Sequence, residues 1–176
     1  VEGFYFMVMA PRGNVLDQGY KTMTYHEVFH IYQMSNIFSS DYEEVDSKSG
    51  RRSGDDSNSD VAWWGEGNAD FFAALYTKDL NNFKEEMKWA LEGNGPFSIP
   101  RKTQFFENGQ KLYNISWSQG ATVDLAYRIG SWFTAYLVHQ NGEQSIYDFW
   151  ETVDKDNFSN TFINDLFTKE PMGVRG

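Results

Sequence analysis

A chain of 176 residues carrying a formal net charge of −10 and no cysteine is long enough for one domain with a sizeable core. The absence of cysteine excludes a disulfide-built fold and a cysteine-ligated zinc knot, and the acidic balance argues against a nucleic-acid partner, whose phosphates it would repel. Aromatic residues make up 18 % of the chain, so rings are expected to dominate the core.

The first predicted element is a strand at residues 4–9, a β-prone run that ends at Pro11 and would supply a small sheet at the N-terminal end. The longest apolar stretch, residues 4–10, is too short to span a bilayer, so no transmembrane segment is expected. The sequence opens at Val1 inside that apparent strand, which suggests a processed or excised part of a longer protein, and an extracellular, soluble one. After a loop from Arg12 to Gln18, a helix is predicted from residues 19–22 to about Phe38. Tyr25, Val28, Phe29, Ile31 and Tyr32 spread apolar surface over nearly all its sides, the pattern of a buried helix.

This helix carries His26-Glu27-Val28-Phe29-His30. Histidines four apart lie on one helical face, so both imidazoles can reach a single cation, and the glutamate between them is placed to take a proton from water. Residues 46–60 contain no apolar side chain and predict a flexible polar surface loop able to gate a neighbouring cleft. Its Asp55, Asp56 and Asp60 match no calcium-loop spacing.

A second helix is predicted from about Val61 to Tyr76 and contains Trp63-Trp64-Gly65-Glu66-Gly67-Asn68-Ala69-Asp70. A catalytic zinc takes three protein ligands and keeps one position open, and Glu66 can supply the third. Asp70 falls one turn further on the same face, where it can hydrogen-bond the free nitrogen of a ligating histidine. Gly65 and Gly67 each cost about 1 kcal/mol in a helix relative to alanine, a cost acceptable where the two ligand helices approach closely around a metal.

A third helix is expected at 82–92, stopped by Gly93, then an irregular stretch over 93–119 containing Pro96 and Pro100. Further helices are expected at 122–140, 143–154 and 159–168. The fold class predicted is α+β, predominantly α: one catalytic domain over residues 1–176 with a small N-terminal sheet and a helical C-terminal part.

His-Glu-x-x-His followed by Glu-x-x-x-Asp on a later helix resembles the gluzincin zinc metallopeptidases, the thermolysin-like superfamily that includes bacterial collagenases and aminopeptidase N-type enzymes. The resemblance implies a zincin-like domain that hydrolyses peptide bonds. It assigns His26, His30 and Glu66 as ligands of one zinc ion, Glu27 as general base and acid, and Asp70 as the residue that orients a ligand histidine. Tyr127-Arg128-Ile129-Gly130 resembles the Tyr-x-x-Gly helix of aminopeptidase N-type and related gluzincins, which makes Tyr127 the donor to the oxyanion. His139 is the alternative donor, though its place near a helix end favours a capping role, and Arg128 is expected on a solvated face. The metzincin pattern is excluded because Gln33 and Asn36 stand where it needs glycine and histidine. Two rival functions stay open on the sequence: a noncatalytic module that keeps the helix pair as a binding scaffold, and a zinc hydrolase of nonpeptide amides or esters.

Overall fold

The computed structural model describes residues 18–37, 48–51 and 60–153. Among them lie six α-helices: α1 (Gln18–Ser35), α2 (Trp63–Thr77), α3 (Leu80–Glu92), α4 (Ile99–Glu107), α5 (Ala121–Asn141) and α6 (Gln144–Thr152). Short 3₁₀ turns at Gly95–Phe97, Leu112–Asn114 and Trp117–Gln119 join the later ones. The described residues contain no strand or sheet, which corrects the α+β expectation to an all-α frame; their β-type pairing is one isolated bridge between Asp60 and Ser116. The expected strand at 4–9 and helix at 159–168 lie outside the described residues.

Helix α2 is the centre of the molecule. Ten of its residues are buried, Trp63, Trp64, Phe71 and Phe72 among them, and it packs most extensively against α5 and α1. Its apolar surface covers most of its circumference and is interrupted by the stripe that carries Glu66 and Asp70. One buried polar side chain ties three helices together: Asn68, on α2, donates from Nδ2 to the Thr134 hydroxyl of α5 at 2.8 Å and accepts at Oδ1 from the Trp150 indole of α6 at 2.8 Å. Both of its polar ends are satisfied, so its full burial carries no desolvation penalty left unpaired.

Helix α1 departs from the expectation of burial on every side. Tyr25 and Val28 are exposed, as are Met23 and Met34. Its inward face is instead the polar row Thr22, His26, His30 and Gln33 with Phe29 among them, spaced at helical intervals. Phe29 stacks on Phe72 of α2, ring centroids 4.6 Å apart, and Thr22 hydrogen-bonds Thr77 at the far end of α2. These contacts hold α1 alongside α2 in a fixed register.

Two further expectations change. The stretch 93–119 is not irregular, because Pro100 sits in the first turn of α4, where a missing N–H costs nothing, and so starts a helix rather than breaking one. Within the polar run 46–60, Lys48 and Ser49 are buried, against the expectation of a wholly solvated loop, while residues 52–59 lie outside the described residues.

Candidate metal centre

The face of α1 that carries His26 and His30 meets the face of α2 that carries Glu66 and Asp70, and the four side chains converge. Nε2 of His26 and Nε2 of His30 lie 3.0 Å apart, and each is 3.2 Å from Oε2 of Glu66. Ligand atoms on a tetrahedral zinc are separated by about 3.3 Å when each bond is near 2.0 Å. The triangle formed by these three atoms therefore has the edges of a metal-ligand face, and His26, His30 and Glu66 form a group able to hold a metal ion. The side chains are mostly buried: 13 % exposed for His26 and Glu66, 22 % for His30. That shields the donors while leaving each side chain partly reachable from the solvent.

Each histidine is held from behind. Nδ1 of His26 bonds Oδ1 of Asp70 at 2.9 Å, the contact that the spacing of Glu66 and Asp70 implied. Nδ1 of His30 bonds the amide oxygen of Gln33 at 2.7 Å, and the amide nitrogen of Gln33 reaches the Gly65 carbonyl oxygen at 3.0 Å. The sequence reading missed Gln33; its helical spacing from His26 and His30 was the available signal.

The electrostatics follow from this enclosure. Burial works against charge on His26, but the hydrogen bonds and charges of Asp70 and Glu66 outweigh it and raise the imidazolium to about 9. Burial likewise pushes the Glu66 carboxyl up, and the hydrogen bonds from His26 and His30 overcome this and hold it well below the usual carboxylate range. Two imidazoles thus compete for one carboxylate oxygen in a space that a cation can fill without protons.

Glu27 lines the cleft beside the centre together with Thr22, Met23, His26, Asp70 and Lys78. Tyr127, on α5, stacks on the His26 ring at 6.2 Å with planes 16° apart, and its phenol feels the Glu66 carboxylate. Burial and then the nearby carboxylates of Glu66, Asp70 and Glu27 push its phenol far above the ordinary tyrosine range, so the hydroxyl keeps its proton. Trp117, exposed on its 3₁₀ turn, packs edge-on against Tyr127. His139 is exposed in the last turn of α5, twelve residues beyond Tyr127 and roughly 18 Å along the helix axis, so the structure keeps it away from the centre. Arg128 is not on a solvated face: it pairs with Glu86 at 3.2 Å and lies over the Trp89 ring at 4.7 Å.

The close helix approach around Glu66 is also not where the sequence suggested. Gly67 of α2 meets Gly130 of α5 backbone to backbone, whereas Gly65 has only ordinary van der Waals neighbours. The glycine of Tyr-x-x-Gly is thus what lets α5 come near enough to set Tyr127 against the ligand group.

Comparison with protein-family models, curated proteins and solved structures finds no match. No helix among the described residues is long and apolar enough to cross a membrane.

Proposed function

We propose that the chain is a zinc-dependent peptidase of gluzincin type, with His26, His30 and Glu66 holding one zinc ion. The observation that carries this reading is the convergence of two imidazole nitrogens and a carboxylate oxygen within 3.2 Å of one another, drawn from two helices. Three nitrogen and oxygen donors partly reachable from the solvent suit a catalytic zinc. When bound, zinc supplies Lewis-acid polarisation of a carbonyl and makes a water acidic enough to lose its proton near neutral pH.

The chain's own residues do the remaining work. Glu27, in the cleft beside His26, takes the proton of the attacking water and passes it to the amine nitrogen as the carbon–nitrogen bond breaks. Tyr127, protonated throughout the ordinary pH range, donates its hydroxyl to the oxyanion that develops on the carbonyl oxygen. Asp70 keeps the His26 ring in the orientation that points Nε2 at the ion. The substrate class is a peptide or protein segment laid in the cleft that Thr22, Met23 and Lys78 border.

The test is to incubate metal-quantified protein with a complex peptide mixture and to map new termini by mass spectrometry, alongside Glu27→Gln. Cleavage by the parent and a loss of several orders of magnitude in the variant, at equal zinc content, are expected. Zinc uptake without cleavage of any peptide would make the helix pair a binding scaffold and overturn the enzymatic reading. Hydrolysis confined to esters or nonpeptide amides would overturn the substrate class.

A further inference from the structure

We infer that Gln33 is a positioning residue of the metal centre: its amide oxygen fixes which nitrogen of His30 faces the ion, and the bond from its amide NH₂ to the Gly65 carbonyl sets which end of the amide that ring meets. The inference rests on the metal reading above and concerns how this chain builds the site.

The Gly65 carbonyl oxygen can only accept, so the group of Gln33 that lies 3.0 Å from it must be the amide NH₂. That sets the amide oxygen toward His30, 2.7 Å from Nδ1. An amide oxygen can only accept as well, so Nδ1 of His30 carries the proton and Nε2 presents its lone pair. Asp70 sets the proton on Nδ1 of His26 by the same logic. With a metal ion bound, both Nε2 lone pairs would then face the region shared with Oε2 of Glu66, the ion taking the place of the protons through which the imidazoles bond that carboxylate.

Gln33 is 1 % exposed, and both ends of its amide are used by these two bonds. Gly65 immediately precedes Glu66, so the ring of His30 is oriented against the same peptide that carries the third ligand.

The substitutions Gln33→Leu and Gln33→Glu separate this role from simple packing. Both lose the bond to the Gly65 carbonyl and should lower the unfolding temperature, but Gln33→Glu keeps an acceptor on Nδ1 of His30. Competition against a chelator of known strength should give zinc binding weaker by about 10–100-fold in Gln33→Leu and within a few-fold of the parent in Gln33→Glu. Equal affinity in Gln33→Leu and the parent, or equal losses in both variants, overturns the inference while leaving the metal reading standing. No zinc uptake by the parent overturns both. Nitrogen-15 spectra of the zinc-loaded parent supply a check that needs no variant to fold: His30 should show a protonated Nδ1 coupled to a metal-bound Nε2, and the opposite tautomer overturns the inference.

Discussion

Gly67 and Gly130 touch backbone to backbone where α2 crosses α5. A Cβ on Gly130 would come within 2.9 Å of the Gly67 Cα, and one on Gly67 within 2.7 Å of the Ser131 amide nitrogen. Glu66 precedes the first glycine and Tyr127 lies one turn before the second, so this contact brings the tyrosine hydroxyl to the carboxylate. Gly65, two residues earlier on α2, has its nearest neighbours at 3.7 Å, which is room for a methyl group.

The two glycines should therefore respond in opposite directions to the same substitution. Gly67→Ala has to push two helix backbones apart and should cost roughly 2–3 kcal/mol in urea unfolding. Gly65→Ala meets no backbone and leaves its carbonyl on Gln33, so it should gain roughly 0.5–1 kcal/mol from reduced chain entropy. Equal losses at both positions would mean that the crossing is not what requires glycine.

That pair also shows how far the sequence could be read. Both glycines beside Glu66 looked alike, because spacing reveals which residues share a helical face and not which helix lies across from them. The partners His26 with His30 and Glu66 with Asp70 were legible since each pair sits four apart on one helix. For Gln33 the spacing shows only that it shares the face of His26 and His30; its role depends also on a carbonyl of another helix that has no signature of its own. The same limit hid Arg128, whose partners Glu86 and Trp89 lie on α3. On α1 the apolar residues predict burial on nearly every side, yet Tyr25 and Val28 face solvent, while the polar row His26, His30 and Gln33 turns inward because its members satisfy one another.

Asp70 gives a second prediction. It accepts from Nδ1 of His26, the ring nitrogen that faces away from Glu66, at 2.9 Å. Asp70→Ala should weaken zinc binding by about 10–100-fold in a chelator competition, while the zinc-saturated protein melts near the parent's temperature. An unchanged affinity would reduce Asp70 to a carboxylate at the edge of the cleft.

Lys102 gives a pH dependence that is independent of the metal centre. Its buried ammonium donates to the carbonyl oxygens of Ala90 and Leu91 at the end of α3. Burial, and then the charge of Arg128, lower it from the ordinary 10.5 to about 8. Between those two values the unfolded chain keeps a proton that the folded protein has released, so this group's contribution to stability rises with pH through that window. Below about 8 both states are protonated and the folded protein bears the full cost of the buried charge. Lys102→Met removes the group and leaves every other titration in place. The unfolding free energy of the parent minus that of the variant should therefore climb from pH 8 to pH 10.5. A flat difference would show that Lys102 keeps its charge in the fold.

Tyr127 separates catalysis from packing most directly. Its ring packs against His26 and Trp117, contacts that phenylalanine would reproduce, and only the hydroxyl that feels the Glu66 carboxylate would be lost. If that hydroxyl stabilises the oxyanion, Tyr127→Phe should lower kcat by roughly 10²–10³ with KM, zinc content and melting temperature close to the parent's. If its work is instead to hold Glu66 in place as a ligand, zinc affinity should fall along with the rate and excess zinc should restore turnover. Titrating zinc into the variant while following peptide cleavage distinguishes the two, and a rate within a few-fold of the parent at any zinc concentration would return Tyr127 to the core.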